Sequence, residues 1–426
     1  MRIDIPKDAD TIISIFENNG YEAYVVGGCV RDSILDRMPE DWDITTSAKP
    51  EEIKELFHKT IDTGIQHGTV TIRMGGCSYE TTTFRIDGEY EDNRHPKNVE
   101  FTSLLSEDLK RRDFTINAMA YSPDKGLIDM FGGIDDINNK IIRCVGNPFE
   151  RFSEDALRTL RAVRFAGQLG FEIEENTYAA MAKIAPNIAT ISAERIRVEI
   201  TKLLMSKGPD KLLTAKEAGL TKVFLPEWDA IVEKGDGERI IRSVNIVNKL
   251  SQGMEERDRR ILAFAMLLAE TGNAKDIMKR MKFDNYSISM VDRLTKKCTC
   301  DFDISKIELR KFISKSGLDM MELLYMLRQA YYSGFGDEYS EYMMEIDRMS
   351  KACYEQIVAD KDPLTIGDLM ITGNDLMENG IPKGKMVGSI LNALLDAVLE
   401  KPELNHVNWL LKKSAIFYDE MNKTLK

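Results

Sequence analysis

The spacing of apolar and polar positions divides the chain into two regimes. Up to about residue 148, stretches with a period near 3.6 alternate with stretches of period two. An apolar-periodic helix over residues 8–18 ends at Gly20, and residues 21–26 read as a buried strand broken by Gly27-Gly28. A second helix is expected over 30–35 and a strand over 42–46. Pro50 stands where a first helical turn begins and opens a helix over 51–59. Residues 69–74 and 77–85 alternate in the strand manner around Gly75-Gly76, the signature of a tight hairpin. The pattern predicts a small α/β domain with a mixed sheet.

Beyond residue 148 the strand signals stop. Helical periodicity runs over 153–168, 176–185 and 192–206 and continues to the end, interrupted by short Gly or Pro breaks. This predicts two or three helical modules, with divisions near 148, 207 and 330, and no second sheet.

Composition narrows the classes. No stretch approaches the roughly 20 apolar residues of a membrane span, and the start, from Met1 to Pro6, has no apolar run behind a basic one, so no export signal is expected. Cysteines 29, 77, 144, 298, 300 and 353 are too few and too scattered for a disulfide framework, which points to a reduced, cytoplasmic protein. The formal charge of −12 argues against a chain wrapped in nucleic acid, but its distribution matters more. Residues 333–362 carry eight Asp or Glu against three Lys or Arg, far from the arginines near 111 and 158–164. A local nucleic-acid site is compatible with an acidic whole.

The densest chemistry lies in Gly27-Gly28-Cys29-Val30-Arg31-Asp32 and, just after it, Asp41-Trp42-Asp43. Two glycines between a strand and a helix let a phosphate approach the backbone, and Arg31 adds a forked cation suited to phosphate oxygens. In a strand, positions i and i+2 share a face, so Asp41 and Asp43 converge. Two such carboxylates repel unless a cation lies between them, and magnesium takes oxygen ligands of this kind together with substrate phosphates. Glu80, on the second hairpin strand, is a candidate third carboxylate or an ordinary exposed strand residue.

Gly-Gly-x-x-Arg-Asp followed by Asp-x-Asp resembles the polymerase-beta-like nucleotidyltransferase superfamily, and more narrowly the class II CCA-adding enzymes with their bacterial poly(A) polymerase relatives. The resemblance continues in order through Leu109-Lys110-Arg111-Arg112-Asp113-Phe114-Thr115-Ile116-Asn117-Ala118, Gly132-Gly133, Glu154-Asp155-x-x-Arg158 and Glu194-Arg195. It implies an α+β fold: a nucleotidyltransferase head (1–147), then an all-α neck (148–207), body (208–330) and tail (331–426). It implies template-independent addition of C-C-A to the 3′ end of tRNA from CTP and ATP, with Mg2+ on Asp41 and Asp43. Gly28, Arg31, Arg112, Asp155, Arg158, Arg161 and Arg164 are then expected at the nucleotide, supported by Gly27, Asp32, Glu80, Arg111, Asp113, Asn117 and Glu154. Gly132-Gly133 is expected to form a flexible joint between head and neck, and Ser192–Arg195 a helix start with a stabilising salt bridge. Body and tail are expected to grip the acceptor and TΨC arms by shape and backbone.

The helix expected from Ser153 carries Glu154, Arg158 and Arg161 at i, i+4 and i+7, which alone suits a salt-bridged solvent face. Base chemistry offers a sharper account. Cytosine and adenine each present an amino donor beside a ring-nitrogen acceptor, so one carboxylate plus one guanidinium fits both. Guanine and uracil set donor against donor and acceptor against acceptor, and the unpaired groups disfavour them. The resemblance assigns this role to Asp155 and Arg158, with Glu154 holding the arginine.

Three alternatives stay open on sequence: an A-adding specialist, a poly(A) polymerase of the same family, and a non-catalytic RNA-binding protein. Poly(A) polymerases often carry basic extensions, and none is seen here. CC-only relatives lack the segment that this chain has at 85–101, which favours full CCA addition. A His-Asp phosphohydrolase module is dismissed, since no histidine lies between His95 and His406.

Overall fold

The computed structural model describes residues 2–88, 99–300, 302 and 305–424. The chain forms two compact units, one of Met1–Glu233 with Arg280–Lys282 and one of Lys234–Lys279 with Phe283–Lys426.

The first unit opens with α1 (Lys7–Asn18), β1 (Ala23–Val26), α2 (Gly28–Ile34), β2 (Ile44–Thr46), α3 (Pro50–Leu56), β3 (Thr60–Gly64), β4 (Thr69–Met74) and β5 (Cys77–Thr83). A short antiparallel pair, β6 (Arg85–Asp87) and β7 (Val99–Phe101), leads to α4 (Leu105–Lys110), β8 (Met119–Ser122), β9 (Gly126–Asp129) and α5 (Gly133–Asn139). Seven strands make one mixed sheet in the order β3-β4-β5-β2-β1-β8-β9, parallel between β2 and β5 and antiparallel elsewhere. The expected mixed-sheet head is therefore present.

The sheet is covered on both faces. Helix α1 buries Ala9, Ile12, Ile13 and Phe16, the i, i+3, i+4, i+7 stripe of an amphipathic helix. Burying large apolar side chains of this kind contributes about 1.5–3 kcal/mol each. The alternate side chains of β1, Tyr24 and Val26, pack with Phe84, Leu105, Leu109 and Ala120, which seats α4 on that face. Gly75 and Gly76 take φ of 58° and 86° between the paired Met74 and Cys77, as a two-residue hairpin requires.

Helices then dominate: after β10 (Ile141–Ile142) come α6 (Pro148–Glu154), α7 (Leu157–Leu169), the two-residue β11 (Glu172–Ile173), α8 (Glu175–Ile184) and α9 (Ala193–Leu204). The second unit is helical throughout its described residues. No helix among the described residues is long and apolar enough to cross a membrane. The structure shows no disulfide among the described cysteines.

Three expectations need correction. Strand β2 begins at Ile44, so Asp41–Asp43 form its approach rather than its first half. The strands β3 and β6 to β11 lie outside the expected set, because their burial is mixed or their runs are short, and the parallel pair β10–β11 is a small separate sheet whose β11, at Glu172–Ile173, lies beyond residue 148, where none was expected. The helix expected from Ser153 is two helices: Asp155 sits between them in an extended conformation (φ −145°, ψ 103°).

Gly132 and Gly133, expected as a joint, cap the start of α5. The Asp129 carboxylate accepts from the amides of Phe131, Gly133 and Ile134. A Cβ on Gly133 would stand 2.5 Å from the Thr115 carbonyl oxygen, so glycine permits a close approach there.

Candidate active site

Asp43 is held at the mouth of β2. Its carbonyl accepts from the Val26 amide at 3.0 Å, carrying the ladder one residue past the strand. The register that pairs Ile44 with Thr81 brings Glu80 beside Asp43. Burial first, then the Asp41 and Glu80 carboxylates, push the Asp43 carboxyl up to about 6, while the Arg112 guanidinium opposes them. Three acids and one cation thus share one corner of the sheet, on the face that α4 covers.

That corner is short of positive charge. Among the described residues no three His, Cys, Asp or Glu side chains close into a metal cage. Asp41 and Asp43 are carboxylates that could hold a metal ion, with water and substrate oxygens as further ligands. Hard oxygen donors, mutual repulsion and open coordination positions fit a divalent cation bound jointly with phosphates.

Gly27 turns the chain from β1 into α2 with φ 84° and ψ −126°, a region closed to other residues. A Cβ there would meet Arg112 Nη1 at 3.1 Å, so the Arg112 guanidinium lies against this turn. Arg31, expected to reach outward to phosphate, instead points inward. Its Nε and Nη2 donate to Asp32 and its Nη1 donates to Asn117 Oδ1 at 2.7 Å.

From Asn117 a buried network crosses to the helical part. Asn117 Nδ2 donates to Asp113 Oδ1 at 3.1 Å, and Arg161 grips Asp113 Oδ2 with Nε at 2.8 Å and Nη2 at 2.6 Å. Burial would raise the Asp113 carboxyl, but Arg161, Asn117 and Arg158 outweigh it and bring it down to about 2. Arg31, Arg161 and Arg164 lie 5.0, 5.4 and 3.9 Å from the centre of the Phe165 ring, whose π-system attracts each of the three cations. Arg164 is buried and donates to Glu199 and to Gln168 Oε1. It braces α7 against α9 and does not reach outward.

The break between α6 and α7 presents the pair expected to read the base. Asp155 Oδ1 accepts from the Leu157 amide, starting α7, and Asp155 Oδ2 accepts from Arg195 Nη2 at 2.6 Å. Arg158 Nη1 donates to Glu154 Oε2 at 2.6 Å and to the Arg151 carbonyl at 3.0 Å. Each member is thereby fixed by a partner of opposite charge. The salt bridge expected of the Ser192–Arg195 segment exists, but its partner is Asp155 itself.

Sequence reasoning missed Arg195 as the holder of Asp155, Glu199 as the partner of Arg164, and Asp108 beneath Arg111 and Arg112. No spacing links residues 155 and 195. Asp108 stands three and four residues before the two arginines, a helical spacing that could have revealed it.

Comparison with known proteins places the chain by sequence and fold. The Poly A polymerase head domain model matches residues 23–143, the RNA and SrmB-binding site of polymerase A model matches 170–232, and the tRNA nucleotidyltransferase domain 2 model matches 253–413. The CCA-adding enzyme of Lactiplantibacillus plantarum is 38% identical over 97% of this chain and 97% of its own length. That of Oceanobacillus iheyensis is 38% identical over 92% of this chain and 93% of its own. The crystal structure of the Bacillus stearothermophilus CCA-adding enzyme in complex with CTP is 31% identical, covers 98% of both chains and superposes with a TM-score of 0.76. On these relatives, matched over nearly the whole length of both chains, the chain belongs to the CCA-adding enzyme family of tRNA nucleotidyltransferases.

Proposed function

We propose that this chain adds C-C-A to the 3′ end of tRNA, joining CTP and ATP in turn and releasing pyrophosphate at each step. The observation that carries the reading is the acidic corner of Asp41, Asp43 and Glu80 in the same unit as Asp155 and Arg158, one set suited to a cation that binds the phosphates and the other to the base.

In this reaction the RNA 3′-hydroxyl attacks the α-phosphate, and pyrophosphate is the leaving group. The family uses a divalent metal, and we read it here as Mg2+ on Asp41 and Asp43, supplying Lewis-acid polarisation of the phosphate and activation of the hydroxyl. Arg112, against the Gly27-Gly28 turn, and the exposed side of Arg161 neutralise triphosphate oxygens. Asp155 accepts from the amino group at N4 of cytosine or N6 of adenine, while Arg158 donates to N3 or N1. Glu154 and Arg195 hold these two side chains in register. Arg31, Asp32, Asn117, Asp113 and Arg164 form the frame beneath them. Gly28, beside the Arg31 guanidinium, leaves the backbone of the turn open to a phosphate, and Arg111 shares Asp108 with Arg112.

We assign residues 1–147 to the head, 148–207 to the neck, 208–330 to the body and 331–426 to the tail, with body and tail contacting tRNA, and place the enzyme in the cytoplasm. The 85–101 segment that favours CCA over CC addition includes residues 89–98, which lie outside the described residues.

Asp41→Ala tests the assignment. Transfer of CMP and AMP is abolished while tRNA binding, measured by filter retention, is unchanged. Retained transfer would place the metal elsewhere.

A further inference from the structure

Beneath Arg112 lies a carboxylate that the reaction chemistry has not used. Asp108, on α4, has no exposed side-chain surface, yet carries charge-compensating contacts on both oxygens. Arg111 donates to Oδ1 with Nε at 3.0 Å and Nη2 at 2.7 Å. Arg112 Nη2 reaches Oδ2 at 3.3 Å, and the Thr45 hydroxyl stands 3.1 Å from the same oxygen. That hydroxyl also stands 3.2 Å from the Thr82 carbonyl, so one proton serves two acceptors. Burial acts to raise the Asp108 carboxyl, but the two guanidiniums outweigh it and hold it below the usual range.

The setting explains why an anion is needed there. Arg112 lies between the Gly27 turn and the acidic corner. Without a counter-charge behind it, its guanidinium would be drawn onto the Asp43, Asp41 and Glu80 carboxylates, whose oxygens belong to the metal. Asp108 holds Nη2 from behind and leaves Nη1 against the turn where phosphates approach. The carboxylate is in turn anchored to β2 through Thr45, two residues from Asp43 and on the same face of the strand.

We propose that Asp108 is a positioning residue for nucleotide binding, acting through Arg112 and keeping that cation on the triphosphate and off the metal-binding carboxylates. The proposal rests on the nucleotidyl-transfer reading above.

A double-mutant cycle tests it, with Asp108→Asn, Arg112→Ala and the pair, each checked for thermal stability. The readouts are KM and kcat for CTP and ATP on tRNA lacking its end, KM for tRNA, and equilibrium binding of CTP alone. Loss of a charged hydrogen bond behind Arg112 predicts a rise of about tenfold in KM and Kd for both nucleotides, with KM for tRNA unchanged. In the Arg112→Ala background, Asp108→Asn adds no further nucleotide penalty, because both changes remove one interaction. Penalties that multiply, or a lowered Tm with unchanged nucleotide KM, overturn the proposal. Thr45→Val keeps side-chain shape and carries the same test should Asp108→Asn fail to fold. Nucleotide KM then rises about two- to threefold, and an unchanged KM contradicts the proposal. Wild-type incorporation of CTP and ATP, run alongside, tests the underlying reading separately.

Discussion

Arg195 Nη2 donates to Asp155 Oδ2 at 2.6 Å, across forty residues of sequence, from the first turn of α9 to the break between α6 and α7. In the base-reading role proposed for Asp155, this bond fixes the rotamer of the carboxylate that would accept from the amino group of the incoming base. A carboxylate free to rotate would still accept from cytosine or adenine but would exclude uracil and guanine less well. Arg195→Ala is therefore expected to lower kcat/KM for CTP by about tenfold and to raise the share of UTP incorporated. Single-nucleotide extension with each of the four triphosphates measures both. Unchanged discrimination would mean that Asp155 is held by other contacts.

The Asp113–Arg161 bridge predicts a pH dependence of stability. The folded Asp113 carboxyl titrates at about 2, below its ordinary 3.8. A depressed folded value means that the contribution is complete above the ordinary value and is lost as pH falls through the folded one. It amounts to about 2 kcal/mol at pH 7, with roughly half of that gone near pH 3. Asp113→Asn should lower the urea midpoint at pH 7, and the gap from wild type should narrow steadily below about pH 4. A gap independent of pH would show that the shape of the side chain, not its charge, is what matters.

Gly133 predicts a steric cost. An alanine methyl there would stand 2.5 Å from a backbone oxygen and 2.9 Å from the Met119 sulfur. The sulfur can yield, but the carbonyl belongs to the turn that carries Asn117. Gly133→Ala should cost about 1–3 kcal/mol and lower Tm by several degrees. A Tm equal to wild type would show that the turn gives way freely.

Much of this site was legible in the sequence because its chemistry sits in short, ordered motifs. Asp41 and Asp43 lie two residues apart, and Glu154 and Arg158 lie one helical turn apart, so local spacing predicted their company. The periodicity of α1 and the Gly75-Gly76 hairpin were equally local. What spacing could not show was long-range pairing. Arg195 with Asp155 and Arg164 with Glu199 depend on how α7 packs on α9. The inward turn of Arg31 depends on Asn117, eighty-six residues away. The break at Asp155 was not legible because Ser153 and Glu154 carry the signals of a helix start, whereas in the fold they close α6 against those preferences. Strand β8 was hidden by a run of four buried residues, too short to distinguish from a helix turn.

Extension of a tRNA transcript lacking its last three nucleotides tests the central claim most directly, with Mg2+ and each nucleotide alone and together. The account predicts growth by two residues with CTP and by three with CTP plus ATP, and none of either from the Asp41→Ala variant. Addition of a single A only to transcripts already ending in C-C, long A tails, or no extension of any substrate by the wild type would contradict it.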